Sequence, residues 1–211
     1  MGHDSPSGVD ELRSLFSAFC MPVGTPIWRP AFFYVLDAQQ ELAGEATSSS
    51  PLLTDVGGVE GSQCIVFRQR YPDLAGRVIL QYLPYVAGRI KGDPLPGFED
   101  IEIEAHDFSK PESGLELIIS GPPSRLGRCR VRQDLGTTEE SVILIDEADV
   151  SERSAPWRAA QQDMEMSFRL SVMEHTGTKW RTLIDEAGPT TRGVRRYTEE
   201  YEDTVIAVAP K

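Results

Sequence analysis

Leu52-Leu53-Thr54-Asp55-Val56-Gly57-Gly58-Val59-Glu60-Gly61 decides how this chain is read. An apolar run, Pro51–Val56, has the length and composition of a buried strand. It runs into a turn made mostly of glycine, and Ser62–Tyr71 continues with Ile65, Val66 and Phe67 in a helical stretch. Gly57 and Gly58 reach backbone angles closed to other residues and let a ligand touch the main chain. Gly61 permits close packing where the helix starts. The spacing Gly57-Gly58-x-x-Gly61 is not the G-x-G-x-x-G dinucleotide pattern, and no Gly-Lys-Ser/Thr follows as in a P-loop. A glycine turn of this kind is either an ordinary tight connection or a ligand cradle. Its place after the first strand of an alternating pattern favours the cradle.

Working outward from that turn, strand and helix alternate. Arg77–Gln81 reads as a second strand, Pro84–Ile90 as a short helix, and Ile101–Ala105, alternating Ile and Glu, as a strand near a sheet edge. Leu115–Ser120 and Ser141–Ile145 are a fourth and fifth strand. Pro156 opens a helix with Ala160, Met164, Phe168 and Ser171 on one apolar face. Thr176–Ala187 is a second such helix, capped by Thr176 and stopped by Gly188. Gly193–Tyr197 and Thr204–Ala209 close the chain as an antiparallel pair. Alternation of this kind gives an α/β fold, a doubly wound and mostly parallel Rossmann-like sheet with a C-terminal antiparallel strand pair. Residues 1–10 read as a disordered tail, residues 11–50 as an N-terminal helical segment broken by Pro22, Pro26 and Pro30, and residues 51–211 as the sheet domain.

The bulk composition narrows the partners. The chain has 211 residues and a formal net charge of -12. That balance repels a phosphate backbone and an anionic membrane surface, so neither nucleic acid nor membrane is expected as a partner. Cys20, Cys64 and Cys129 lie far apart with no metal-binding spacing, so they read as reduced thiols, no metal is expected, and the expected location is cytoplasmic. No signal peptide and no membrane-spanning run is read.

Several segments then fall into a known order. Asp55-Val-Gly-Gly-Val-Glu-Gly61, Tyr71-Pro-Asp-Leu-Ala-Gly76 with the strand after it, and Ala105-His-Asp-Phe108 are followed by Leu144-Ile-Asp-Glu147 and Ala155-Pro-Trp-Arg-Ala159. Glu174-His-Thr176 and Trp180-Arg181 complete the series. Together they resemble the fungal-type S-adenosylmethionine-dependent O-methyltransferases of secondary metabolism. The resemblance implies a class I methyltransferase sheet and S-adenosylmethionine as cofactor. Its acceptor would be a small phenolic or polyketide-type metabolite. It implies cofactor contacts from Asp55, Gly57, Gly58, Gly61 and the position of Tyr82, with Asp107 and Phe108 beside the adenine. Glu147 and Glu174 match the two acids that orient the family's catalytic histidine. Met164, Met166 and Met173 line a substrate pocket on this reading, or fill an ordinary helix core.

The sequence departs from the family pattern at four places. Val59 stands where the family has a third glycine. Tyr82 stands where the family has the acid that accepts both ribose hydroxyls, and a phenol does not replace a bidentate carboxylate. No histidine lies between His106 and His175, where the family's general base belongs; residues 121–133 carry four arginines instead. The family's N-terminal winged-helix domain is not matched, so the chain reads as a truncated, degenerate member that dimerises or associates with a full-length relative. Two other readings stay open: a methyltransferase fold without methyl transfer, serving as cyclase-like catalyst or partner subunit, and an inactive truncated product. A dehydrogenase fits the glycine spacing poorly.

Overall fold

The computed structural model describes residues 47–49, 51–58, 60–106, 117–120, 142–170 and 173–209. The readings placed on the tail, on most of the N-terminal helical segment and on residues 121–133 lie outside the described residues, as do Val59, Asp107 and Phe108.

Seven strands and four helices are described. In chain order they are β1 (Pro51–Val56), α1 (Ser62–Arg70), β2 (Arg77–Tyr82), α2 (Pro84–Gly92), β3 (Ile101–Ala105), β4 (Leu117–Ser120), β5 (Val142–Ala148), α3 (Trp157–Leu170), α4 (Gly177–Ala187), β6 (Thr190–Arg196) and β7 (Asp203–Ala209). They form an α/β architecture with one seven-stranded sheet in the order β3-β2-β1-β4-β5-β7-β6. The pairs from β3 to β5 are parallel, and β7 runs antiparallel to both of its neighbours. The chain therefore starts in the middle of the sheet, builds outward to β3, and crosses back to β4. The gap between the carboxyl ends of β1 and β4 is the point where strand order reverses, the usual ligand crevice of an open α/β sheet.

Strand composition explains the arrangement. Leu52 and Leu53 in β1, Val78, Ile79 and Leu80 in β2, and Ile143, Leu144 and Ile145 in β5 are all buried. Strands covered on both faces need such unbroken apolar runs. One side of the core is a cluster of Ile143, Ile145, Trp180, Ile184, Ile206 and Val208, uniting β5, β7 and α4. The Trp180 indole spends its N–H on the Ala148 carbonyl at 3.0 Å, so the large ring is buried without an orphaned donor. α4 keeps both expected ends: the Thr176 hydroxyl accepts from the Lys179 amide, and Gly188 takes the left-handed conformation.

Three expectations change. β5 runs on through Asp146-Glu147-Ala148 because β7 pairs with it as far as Asp203. β6 begins at Thr190, since its ladder to β7 opens there and absorbs an irregularity before Gly193. The expected apolar face of α3 points outward, with Trp157, Ala160, Met164 and Phe168 exposed and Ala159 buried instead. No helix among the described residues is long and apolar enough to cross a membrane.

Candidate functional site at the carboxyl edge of the sheet

The three described glycines after β1 do three different things. Gly57 has φ 83, donates its N–H to the Gln81 carbonyl at 2.9 Å, and would meet no atom of the described residues within 4 Å if it carried a Cβ. Its conformation demands glycine, and the space in front of it is open. Gly58 leaves room for its neighbour: a Cβ there would lie 2.0 Å from a carboxylate oxygen of Asp55. Gly61, at φ 72, caps the start of α1 and packs on Phe98 and Leu80.

Asp55 lies beneath this turn at 1% exposure. The Cys64 thiol donates weakly to its carboxylate at 3.8 Å. Burial pushes the carboxyl up to about 7; the thiol hydrogen bond works against that rise and the charge of Asp146 adds to it. The Cys64 thiol is pushed well up by its own burial and by Asp55. Tyr82 ends β2 half-buried, opposite Ala105 of β3, and its carbonyl accepts from the His106 amide at 2.8 Å.

The two expected acids sit at the other end of the same edge. Glu147 is buried on β5 opposite Thr204. Glu174 is buried beside α3, where its carboxylate accepts from the Gln162 amide at 3.0 Å and its N–H donates to Asp163 at 2.7 Å. A short parallel bridge between Asp149 and His175 ties the two segments together, with the Val150 N–H donating to the His175 carbonyl at 3.0 Å. The His175 ring packs on Trp180 at 5.0 Å between centroids. Burial holds its imidazole below the ordinary value, helped by Lys179 and opposed by the Glu174 backbone hydrogen bond and by Asp163.

Two features here escaped the sequence. The Tyr197 hydroxyl donates to Asp146 at 2.5 Å, closing β6 onto β5. Glu202 is 2% exposed and has φ 56, the one non-glycine with positive φ among the described residues. That conformation costs about 1–2 kcal/mol and persists only where surrounding bonds enforce it. A Glu in a polar turn ordinarily reads as solvated, and only the neighbouring Arg195-Arg196 pair hints at a partner.

Outside this edge, α3 presents an apolar stripe. Trp157 is 67% exposed and Phe168 86%, and with Ala160, Gln161, Met164 and Glu165 they line an open groove of about 500 Å³. Met164 is exposed and Met166 half-buried, so this helix face is not ordinary core, and Met173 beyond the helix is exposed as well.

No protein-family model matches the chain. Among curated relatives, O-methyltransferase okaF of Penicillium ochrochloron is 31% identical over 163 residues, covering 74% of this chain and 42% of that protein. O-methyltransferase lepI of Aspergillus flavus is 30% identical over 180 residues, covering 80% of this chain and 46% of that protein. The chain thus spans about half the length of these relatives. In structure, LepI in complex with SAM superimposes with a TM-score of 0.79 at 24% identity, over 99% of this chain and 53% of that one. A structure described as a pericyclic reaction enzyme gives 0.80 at 24% identity, over 97% and 54%.

Proposed function

Since the chain is a relative of the fungal O-methyltransferases of secondary metabolism, we propose that residues 51–211 are a Rossmann-like class I methyltransferase domain that binds S-adenosylmethionine. The proposed acceptor is a small phenolic or polyketide-type metabolite, and the proposed setting is cytoplasmic. The single observation that carries the reading is the left-handed glycine turn at the strand-order reversal: Gly57 needs a conformation only glycine holds easily, and no atom of the described residues lies within 4 Å of where its Cβ would stand.

The space before Gly57 supports a cofactor at this turn, while Tyr82 lacks the carboxylate that would accept both ribose hydroxyls. Gly57, Gly58 and Gly61 with Asp55 are proposed for its methionine and ribose end, Tyr82 beside the ribose, and Asp107 with Phe108 beside the adenine. The cofactor, when bound, supplies a sulfonium methyl group for in-line displacement by an acceptor oxygen. This chain's contribution is placement of the two partners, which alone lowers a bimolecular barrier substantially. Glu147 and Glu174 are the proposed catalytic carboxylates, holding the acceptor hydroxyl or a base beside it. The Trp157–Phe168 groove with Met164 is the proposed apolar contact for the metabolite or for a second chain.

A second reading is favoured by Tyr82 and by the relationship to lepI: the fold keeps its cofactor but catalyses a cyclisation instead of methyl transfer. Both readings are tested by incubating the protein with methyl-labelled S-adenosylmethionine and a panel of phenols and polyketide-type aromatics. The first predicts label in an acceptor, lost in Glu147→Gln. Cofactor binding with no transfer to any acceptor would leave the second reading. Absence of both binding and transfer would overturn the two together.

A further inference from the structure

We infer that Glu202, together with Arg196, is a positioning residue that fixes the segment carrying one candidate acid against the segment carrying the other. The inference rests on the proposed role of Glu147 and Glu174. The carboxylate of Glu202 accepts from the Ser151 N–H at 2.7 Å, from the Ser151 hydroxyl, and from the Arg196 guanidinium at 2.9 Å. Its backbone carbonyl accepts from the Asp149 N–H at 3.0 Å and from the Thr204 hydroxyl at 3.0 Å. The other Arg196 nitrogen donates to the Asp149 carbonyl at 3.0 Å. Both backbone groups of Asp149 are therefore held, the carbonyl by Arg196 at the end of β6 and the N–H by Glu202 just before β7.

Asp149 is also the residue that bridges to His175. Glu147 lies two positions before it, and Glu174 one position before His175. The spacing of the two acids thus depends on the β5–β7 ladder at Glu147 and on a bridge whose one side is clamped by Glu202 and Arg196. The other side is held by α3 through Gln162 and Asp163. A buried, fully bonded glutamate in a left-handed conformation, at the sheet edge where ligands sit, marks a turn whose shape is enforced rather than relaxed.

The test reads the imidazole of His175 in the folded protein. His175 is half-buried beside the bridge, with Lys179 and Asp163 as the charged groups acting on it. Proton NMR titration of the three histidines is run on the whole chain and on Glu202→Ala, Glu202→Gln and Arg68→Ala. Arg68 holds the Leu74 and Gly76 carbonyls near β2, away from the clamp, and its variant controls for loss of stability alone. Freed from the clamp, the bridge admits water, and His175 in Glu202→Ala titrates upward by about half a pH unit or more. Glu202→Gln keeps an acceptor for Ser151 and restores most of the wild-type value, and Arg68→Ala leaves it in place. A His175 titration unchanged in folded Glu202→Ala, or shifted equally in Arg68→Ala, would overturn the inference. If Glu202→Ala does not fold, Glu202→Gln and Arg196→Gln carry the same comparison, and an unmoved His175 in both overturns it. The titration needs no cofactor, so its failure is separate from failure to bind S-adenosylhomocysteine, which would strike the proposed function.

Discussion

Asp55 and Glu202 are both carboxylates with almost no exposure, both at the carboxyl edge of one sheet, and their surroundings are opposite. Glu202 is met by a backbone amide, a hydroxyl and a guanidinium. Asp55 is met by a thiol at 3.8 Å and by the charge of Asp146. A buried charge is stable only where donors replace its water. The β5–β7 end is therefore pinned around a carboxylate that three donors meet. Beneath the glycine turn, the β1 end keeps a carboxyl that burial pushes up to about 7.

The largest effect is expected where the pinning is removed. Glu202→Ala leaves one Arg196 nitrogen and both Ser151 donors without their acceptor, and the loss of three hydrogen bonds to a carboxylate should lower unfolding free energy by about 3–5 kcal/mol in denaturant titration. A loss under about 1 kcal/mol would mean that water serves the same donors, and the contrast with Asp55 would collapse.

Asp55 comes next, through pH. Its ordinary value is 3.8 and its folded value about 7. Below the ordinary value both states hold the proton and burial carries no ionisation penalty. As pH rises toward 7 the unfolded chain releases the proton while the folded one keeps it, so stability falls across that window and levels off above it. The three-unit gap sets a ceiling of about 4 kcal/mol, and a loss of about 2–4 kcal/mol between pH 4 and pH 8 is expected. Asp55→Asn should flatten this fall and be the more stable protein at pH 8. Equal pH profiles for the two proteins would show that Asp55 is ionised in the fold.

The smallest effect lies between the two regions, at the helix that follows the bridge. Thr176→Ala removes the hydroxyl that accepts from the Lys179 amide and should lower stability by about 1 kcal/mol by thermal or chemical unfolding. A much larger loss would show that the His175 segment depends on the cap as well as on the Glu202 clamp.

How much of this was legible follows from which forces are local. The β1–turn–α1 unit was readable because Leu52, Leu53 and the glycines encode strand and turn within ten residues. The ends of β5 and β6 were not, because they are set by pairing with β7, up to sixty residues away. The apolar face of α3 was read as either substrate pocket or core, because helical spacing shows that a face is apolar without showing what covers it. Asp55, Glu147 and Glu174 were singled out through the family resemblance, and the structure adds that all three are buried. The Glu202 clamp was invisible, since its partners Ser151 and Arg196 meet it only through the tertiary fold.

The central claim is that the open turn at Gly57 receives S-adenosylmethionine. Calorimetric titration of S-adenosylhomocysteine into the wild-type chain and into Gly57→Ala tests it most directly. The account predicts micromolar binding to the wild type and a loss of about tenfold or more in the variant, whose new methyl group enters the open space and strains the turn. No heat of binding from folded wild-type protein, or equal affinity in the two, would contradict it.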